Sequence, residues 1–587
     1  MQMNHAPWPV RALQLDLARQ METLPFIFTV VDFMQTSGYN TLILYLESRI
    51  KTASFPYPDE GSCYSADDMK RVVEYAAQRG VDVVPALQTL GHVDRFLAHP
   101  ELSHLAELRE GIMGRFTSFA AEFCPSLVET QQFLTDYVFD IANIFPAPYI
   151  HIGLDEVWNI GYCALCRSRL EKGETQADLF AAHIRFMHSL VSGKLGRRMM
   201  MWADLFEHYP NALTAIPRDI LLCSWHYDSL VDWPQSHFGN RLRYDAAALY
   251  GQLGFESLIV PWGDHNARNT ISFTEYARGK RNVIGGVFST WEKRTSSILE
   301  SLPVAGMTGR MWAAGNDTEH ARQHFDVAAE AVFGVWNESL FDAIWGYKNL
   351  DPRSLFENPH LYLRGLIRPY FYERALLVER IAKTLRAEAD TVTSEIGKAV
   401  LEDLLIMLDC EQVFFAWRRL LPEWLYRING LRAGESLLPD AQQLLVRIHH
   451  LRQQRHTQWQ AHRPGLAPIS SDTFFEALHA THAALVARLA GDGRDTGVLI
   501  VRAFLADYYG SSPVRVLIRY EDSAEWNEAH YGCMKPDIGD YSEVPFFEFD
   551  LLMASDRIPA ALRIEVTGFG GLGFTFFEAA NSTGRYR

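Results

Sequence analysis

Two adjacent carboxylates, Asp155 and Glu156, follow a short apolar run at residues 149–153. Like charges this close disfavour joint ionisation, so each is expected to raise the proton affinity of the other. One carboxyl group can then stay protonated near neutral pH and act as a general acid. The alternative is a solvated loop near a helix N-terminus, where Asp and Glu are also favoured.

Tryptophan follows or ends three other apolar runs, at Trp202, Trp225 and Trp291. Sugar rings present apolar CH faces that stack on aromatic walls. Core packing explains any single one of these residues equally well. Three at the same end of their strands favour a sugar-binding wall, to which Trp262 could add.

Cys163 and Cys166 form a CxxC pair just after the carboxylates. This pair could hold half of a zinc site, but no second CxxC or HxxxH follows at finger-like spacing. We therefore expect loop or packing thiols and no metal. Seven cysteines in 587 residues also favour reduced thiols over a disulfide framework.

The elements that must position these residues alternate between short apolar runs and amphipathic stretches, which is typical of parallel βα units. Eight such units predict a (β/α)8 TIM barrel within residues 1–320, with the active site at the C-terminal strand ends. The predicted strands are Arg11–Leu17, Thr41–Leu46, Val81–Gln88, Tyr149–Gly153, Arg198–Trp202, Ile220–Trp225, Leu258–Pro261 and Val283–Ser289. Predicted helices include Ala66–Gln78, Leu127–Ile144, Gln176–Leu195 and Phe273–Lys280.

The rest of the chain changes character twice. Residues 321–490 have helical periodicity and few strand signals, so a helical region packed on the barrel is expected. After the turn-forming segment GDGRD at 491–495, several β-type runs predict a small β-sandwich over 495–587. A carbohydrate-binding role for this last part is the alternative to a structural one.

The segment His151–Glu156, which reads His-x-Gly-x-Asp-Glu, resembles the active-site signature of glycoside hydrolase family 20, the β-N-acetylhexosaminidases. Near the N-terminus, Arg11, Asp16 and Arg19 resemble the Arg-x4-Asp-x2-Arg pattern of that family's first strand. The similarity extends to the hexosaminidase D-like branch through Glu47 with FPY at 55–57, and through QTLGH at 88–92.

The resemblance implies a substrate-assisted mechanism that departs from the usual two-carboxylate scheme. Glu156 would protonate the leaving oxygen, and the substrate's own 2-acetamido oxygen would attack the anomeric carbon. Asp155 would orient the acetamido group and stabilise the charge developing on it. The resemblance implies neither a metal nor an organic cofactor.

The same resemblance implies roles in substrate binding. Arg11 would bind hydroxyls on the far side of the terminal sugar, and Glu47, His92 and His151 would line the pocket. Many members of the family also place a Tyr-x-Asp element after the seventh strand, where the Tyr bonds the acetamido carbonyl. The seventh strand here, LIVPWGDHNARNT, contains no Tyr, and Tyr227 after the sixth strand is the candidate substitute.

The composition and net charge of the chain exclude some classes of binding partner. Hydrophobic residues make up 48% of the chain, which is typical of a folded globular protein. The net charge of −16 argues against a surface that neutralises phosphate groups, so we expect no nucleic-acid partner. We expect no membrane span, since no stretch approaches ~20 apolar residues, and the cytoplasm is the default location. The predicted partner is a glycan with a terminal N-acetylhexosamine.

Several alternatives stay open. A retaining glycosidase of another barrel family, with a carboxylate nucleophile, is one, and a non-catalytic sugar-binding barrel is another. The choice between gluco and galacto substrates is open, as is the oligomeric state, for which a homodimer is one option.

Overall fold

The structure, a computed structural model, describes residues 6–59, 61–109, 121–231, 245–262, 267–291, 298–349, 369–428, 437–463, 479, 482–483, 486–487, 490, 497–507, 513–520, 522–533, 546–555, 559–566 and 572–580. Eight parallel strands form a closed barrel, each paired with the next along the chain and the last with the first. They are β1 Val10–Asp16, β2 Thr41–Tyr45, β3 Asp82–Ala86, β4 Tyr149–His151, β5 Arg198–Trp202, β6 Leu221–His226, β7 Ser257–Pro261 and β8 Val283–Phe288. The predicted TIM barrel is confirmed.

Strand β8 closes the barrel against β1, with Val10 opposite Gly285 and Leu13 opposite Phe288. The barrel interior is a packed apolar core that includes Ala12, Val84 and Met200. Because the interior is filled, polar side chains that could do chemistry collect at the rim formed by the C-terminal strand ends.

Helices surround the barrel and bury their apolar faces against it. They are α1 Leu24–Ser37, α2 Ala66–Ala77, α3 Asp94–Leu97, α4 Val128–Ile144, α5 Ala164–Glu171, α6 Gln176–His188, α7 Ala246–Gln252, α8 Ala267–Ala277 and α9 Leu302–Ala313. A capping box starts α6, where Thr175 and Asp178 satisfy each other's backbone N–H groups. After β5 the chain runs through 3₁₀ turns at Asp204–Phe206 and Pro210–Ala215 in place of an α-helix.

Two strand ends differ from the prediction in a way that matters for the rim. Strand β3 ends at Ala86 and β4 at His151, whereas the predicted strands ran to Gln88 and Gly153. Gln88 and Gly153 therefore lie in rim loops, where their conformations are not restricted by strand pairing.

The helical part of the chain consists of α10 Ala321–Phe333, α11 Glu338–Lys348, α12 Pro369–Glu388, α13 Glu395–Ile428 and α14 Leu438–His462. Phe325, Leu340 and Leu404 belong to the same apolar core as the barrel helices, so this part packs on the barrel. An ion pair of fully buried side chains, Arg463 with Glu22 at 2.5 Å, adds a polar link. The domain boundaries stay predictions.

Six strands follow, β9 Gly497–Asp507, β10 Pro513–Tyr520, β11 Trp526–Cys533, β12 Phe546–Ser555, β13 Pro559–Val566 and β14 Leu572–Ala580. They form two antiparallel three-stranded sheets, in the orders β11-β10-β13 and β12-β9-β14. The predicted sandwich requires two such sheets, and their face-to-face packing stays a prediction. Strand β11 was not predicted because WNEAHYGC has no apolar run. The GDGRD segment lies outside the described residues.

Candidate active site

The acidic pair lies in the loop that follows β4, and its two members differ in exposure. The side chain of Asp155 is 12% exposed, whereas that of Glu156 is 44% exposed. Asp155 is therefore held inside the rim, and Glu156 faces the solvent from which a substrate would enter.

His92, which follows β3, lies between the two carboxylates. Its Nε2 is 3.4 Å from Asp155 Oδ2 and 3.5 Å from Glu156 Oε2. Burial opposes the charge on His92, but Asp155 and Glu156 outweigh it and raise the pKa of His92 well above its ordinary value. The histidine is thus a cation at neutral pH, and the loops after β3 and β4 meet through it.

The electrostatics of Asp155 correct one expectation from the sequence. Burial alone would raise the pKa of Asp155, but the charge and hydrogen bond of His92 lower it below its ordinary value. Asp155 is therefore a carboxylate at neutral pH. Repulsion within the acidic pair does not leave Asp155 protonated, because His92, which the resemblance placed in the pocket, lies between the two carboxylates.

Two glycines allow the rim loops to approach each other closely. A Cβ atom on Gly153 would lie 1.9 Å from Gln88 Oε1, and the φ angle of +75° also disfavours any other residue. A Cβ atom on Gly91 would lie 2.8 Å from the backbone oxygen of Asp155. The glycine of the His-x-Gly-x-Asp-Glu segment is thus required by the contact with the loop that follows β3.

Left-handed backbone conformations concentrate at this rim. Four non-glycine residues here have positive φ, namely Glu47 at 42°, His92 at 53°, Leu154 at 80° and Glu156 at 49°. Such conformations are uncommon outside glycine and persist where surrounding contacts enforce them, which is a frequent property of functional sites. The fold therefore fixes the directions of three of the predicted site residues.

Two polar residues that the sequence argument did not assign to the site hold the acidic pair in place. Gln88 Nε2 donates to Asp155 Oδ1 at 3.2 Å and also to the hydroxyl of Tyr45. The backbone N–H of Glu156 donates to Asp204 Oδ2 at 3.1 Å. Gln88 and Asp204 both follow barrel strands by two residues, and this position was the signal that could have identified them.

A polar floor with two buried carboxylates lies beside the pair, at the ends of β1 and β2. Arg19 Nη1 pairs with Asp16 Oδ2 at 3.0 Å, and Arg95 Nε pairs with Glu47 Oε2 at 3.1 Å. Burial raises the pKa of Glu47 to about 7, against the lowering effect of the positive charge of Arg19. This floor offers both a cation and a titratable carboxyl group to polar ligand groups.

The structure does not bring Arg11 to this floor. Arg11 is the second residue of β1 and lies at the opposite, N-terminal end of the barrel. Its guanidinium donates to the backbone oxygens of Gly38 and Trp8 at 2.7 and 2.6 Å, which gives it a structural role. Arg19, which follows the C-terminal end of β1, is the arginine of that pattern at the rim.

His151 also lies away from the surface that a substrate could reach. The residue is fully buried, its Nδ1 accepts from the N–H of Gly153 at 3.1 Å, and its ring lies 4.4 Å from that of Trp202. Burial lowers the pKa of His151 to about 3, so it is neutral. Its contact with Gly153 shapes the turn before the acidic pair.

The predicted aromatic residues form one connected cluster. Trp291 contacts Tyr45 and Trp202 at centroid distances of 5.0 and 6.2 Å, and Arg19 lies 5.1 Å from its ring. Trp225 stacks on Tyr227 at 4.9 Å. Trp202 is only 1% exposed and supports the cluster from below, whereas Trp225 and Trp291 are half-buried. Two of the three predicted tryptophans can thus face a ligand.

Tyr227 directly follows β6 but reaches towards the ends of β7 and β8. Its ring lies 5.0 Å from Trp262, and its hydroxyl accepts a hydrogen bond from Trp291 Nε1 at 2.9 Å. Burial raises the pKa of Tyr227, with a further contribution from Asp155, so the hydroxyl stays protonated. A tyrosine from the sixth strand therefore reaches the region where a seventh-strand tyrosine was expected.

Cys163 and Cys166 lie beyond the acidic pair, next to two residues that precede them in the chain. Their sulfur atoms, Cys124 Sγ and a carboxylate oxygen of Glu107 all lie within 4.8 Å of one another, and all four residues are buried. Neither Cys124 nor Glu107 was predicted as a ligand, because both precede the CxxC pair, whereas the second half of a finger-like zinc site follows it. Among the residues that the structure describes, these four have donor atoms close enough together to hold a metal ion.

Comparison with known proteins shows which family the barrel is similar to. Residues 8–237 match the model for the glycosyl hydrolase family 20 catalytic domain. The chain is 24% identical to Hexosaminidase D of Homo sapiens over 326 residues, which cover 51% of this chain and 63% of that protein. It is 25% identical to the beta-hexosaminidase subunit alpha of Rattus norvegicus over 345 residues, covering 53% and 61%. These matches thus span less than two thirds of either relative.

Among solved structures, an exo beta-N-acetylglucosaminidase from Vibrio harveyi, in complex with N-acetylglucosamine, is similar at 18% identity and a TM-score of 0.45, covering 60% of both chains. A beta-N-acetylhexosaminidase from Bacteroides fragilis is similar at 19% identity and a TM-score of 0.42, covering 53% of this chain and 65% of that one.

The closed barrel, its acidic rim and the family match together have the character of a glycoside hydrolase catalytic domain. More narrowly, residues 8–237 of the chain match the catalytic domain of glycosyl hydrolase family 20, which confirms the resemblance seen in the sequence. Among the described helices, none is both long and apolar enough to cross a membrane.

Proposed function

We propose that this chain is an exo-acting β-N-acetylhexosaminidase that releases terminal β-linked N-acetylglucosamine or N-acetylgalactosamine with retention at the anomeric carbon. The observation that carries the proposal is the division of the acidic pair by His92 into a buried carboxylate, Asp155, and an exposed carboxyl group, Glu156.

Glu156 is the proposed proton donor to the glycosidic oxygen. Its exposure allows contact with the leaving group, and the bond from its N–H to Asp204 holds its backbone in place. After departure of the leaving group, the same carboxylate takes a proton from the water that opens the intermediate. Asp204 is a positioning residue in this scheme, because it acts through Glu156.

Asp155 is the proposed partner of the acetamido N–H. Its ionised state and the hydrogen bond from Gln88 suit it to stabilise positive charge that develops on the acetamido nitrogen. The 2-acetamido oxygen of the substrate then attacks the anomeric carbon, the bond to the leaving oxygen breaks, and an oxazolinium intermediate forms. A low accessibility of 12% makes Asp155 itself a poor nucleophile at that carbon.

Tyr227 is the proposed donor to the acetamido oxygen during this attack. Its protonated hydroxyl lies among Trp225, Trp262 and Trp291, whose apolar faces would also contain the acetamido methyl group. A hydroxyl fixed by Trp291 Nε1 would orient the attacking oxygen at little entropic cost.

Arg19 and Glu47 are the proposed contacts to the hydroxyl groups of the terminal sugar. Both are held by ion pairs, Arg19 by Asp16 and Glu47 by Arg95, so they present a rigid donor and acceptor. A closed polar floor of this kind suits the end of a glycan chain, which is the basis for proposing exo action. Arg19 thereby takes the role that the family resemblance implied for Arg11.

The test compares paired aryl β-glycosides that differ only at position 2, one bearing an acetamido and the other a hydroxyl group. Substrate assistance requires the acetamido group, so we expect turnover of the N-acetylglucosaminide to exceed that of the glucoside by at least ~10³-fold. A thiazoline mimic of the oxazolinium should inhibit competitively. Equal rates on the two glycosides would instead support a carboxylate nucleophile, and turnover of neither would support a non-catalytic sugar-binding barrel.

A further inference from the structure

The loop that follows Glu156 is tied to the segment after β3 by two buried carboxylates. Glu122 Oε1 accepts from the backbone N–H groups of Trp158 and Asn159, each at 3.2 Å. Glu107 Oε1 accepts from the N–H groups of Gly161, Tyr162 and Cys163 at 2.8 to 3.0 Å. One oxygen of Glu107 is thus fully used by the backbone, and the orientation of the other is fixed.

That second oxygen points at a group of three thiols. Glu107 Oε2 is 3.3 Å from Cys166 Sγ. Cys124 Sγ is 3.4 Å from Cys163 Sγ and 3.8 Å from Cys166 Sγ. Three sulfurs and one oxygen, all from buried residues and all within 4.8 Å of one another, therefore form a compact four-cornered cluster.

These separations match the edges of a tetrahedral zinc site. Thiolates about 2.3 Å from Zn²⁺ lie about 3.8 Å from one another in a regular tetrahedron, and a carboxylate oxygen at about 2.0 Å lies about 3.5 Å from each sulfur. The sulfur–sulfur distances of 3.4 and 3.8 Å and the sulfur–oxygen distance of 3.3 Å lie close to these values. Neighbouring groups would also suit bound thiolates, because the N–H of Cys166 donates to Cys163 Sγ at 3.3 Å.

We propose that Cys124, Cys163, Cys166 and Glu107 bind one structural Zn²⁺ ion that joins the segment after β3 to the loop carrying the acidic pair. Four protein ligands complete a tetrahedral site, so the ion has no open position for substrate and takes no part in hydrolysis. Binding releases the thiol protons to solvent, because the thiolates are the ligands. The competing arrangement is a disulfide between Cys124 and one of its two neighbours.

The first test measures zinc in the full-length protein after expression with added Zn²⁺ and gel filtration. We expect about one zinc per chain in the wild type and in Cys223→Ser, which removes a buried thiol from β6. Cys124→Ser and Cys166→Ser should lose most of the metal, and their thermal transitions should no longer respond to a chelator. Wild-type levels of zinc in both of these variants would overturn the proposal.

A second test uses only the wild-type chain, so its result does not depend on whether the cysteine variants fold. Metal-free protein titrated with Co²⁺ should give the near-ultraviolet absorption of thiolate-to-cobalt charge transfer, and Zn²⁺ should abolish it. When the metal-free protein is denatured without reductant, a thiol titration should count seven free thiols, the number of cysteines in the chain. A count lower by two would identify a disulfide, and the absence of the cobalt bands would equally contradict a metal site.

Discussion

The imidazole Nε2 of His92 lies 3.4 Å from Asp155 Oδ2 and makes Asp155 a stable carboxylate despite its burial. The roles proposed for the two acidic residues follow from this contact. A cation beside Asp155 keeps it ionised, and the more exposed Glu156 is left to transfer the proton.

Replacing His92 by Asn tests this contact while tolerating the left-handed backbone, which Asn adopts readily. The raised pKa of His92 contributes stability that is fully present below its unfolded pKa of about 6.5 and is lost as pH rises through the folded pKa. The difference in unfolding free energy between wild type and variant should therefore be largest below pH ~6.5. The pKa of Asp155 should also rise, which moves the acidic limb of the kcat/KM profile to higher pH. A difference in stability that grows with pH would contradict the account.

Arg19 and Arg11 form a matched pair at the two ends of β1. Arg19→Ala should lower kcat/KM by about 10- to 100-fold, the worth of one or two charge-assisted hydrogen bonds to sugar hydroxyls. Arg11→Ala should lower the melting temperature through its lost bonds to Gly38 and Trp8 but leave kcat/KM nearly unchanged. Steady-state kinetics and thermal unfolding of the two variants check this. The reverse pattern would return the sugar-binding role to Arg11.

Glu47 should give the enzyme a pH dependence near neutrality, because burial raises its pKa to about 7. The ionised carboxylate is the better acceptor for a sugar hydroxyl, so KM should fall as pH rises through this value. Glu47→Gln should have a higher KM above pH 7 and no such dependence. An unchanged KM profile in this variant would show that Glu47 does not contact the sugar.

Tyr227→Phe removes one hydroxyl and leaves the ring against Trp225 and Trp262. Loss of a donor that acts on the attacking oxygen should lower kcat by about 10²-fold with little change in KM. Trp291→Phe, which removes the bond to that hydroxyl, should give a smaller loss. If Tyr227→Phe changed KM alone, the hydroxyl would bind the sugar without assisting the attack.

The sequence predicted the eight strands of the barrel and the position of the acidic pair because both depend on local patterns, the alternation of apolar runs and a six-residue motif. Arg11 was predicted at the site because its pattern with Asp16 and Arg19 resembles the first strand of the family. The rule that sites lie at the C-terminal strand ends, applied to the same strand, favours Arg19.

Other features depend on contacts between distant parts of the chain. Cys124 lies 39 residues before Cys163, so no local spacing indicates their proximity. The lowered pKa of Asp155 depends on His92, which comes from another strand and adopts a positive φ. Sequence patterns do not determine how the loops after β3 and β4 contact each other. Here the close packing of Gly91 and Gly153 between these two loops determines that contact.

The central claim is that Glu156 supplies the proton to the leaving oxygen while the substrate supplies its own nucleophile. The most direct measurement is kcat/KM of Glu156→Gln on two N-acetyl-β-glucosaminides, one with an alkyl leaving group and one with a dinitrophenyl group that departs without protonation. A bound thiazoline inhibitor confirms that the variant retains its pocket. We predict a loss of about 10³- to 10⁴-fold on the alkyl glycoside and a far smaller loss on the dinitrophenyl glycoside. Equal losses on both substrates, or no loss on either, would contradict the assignment of Glu156 as the acid.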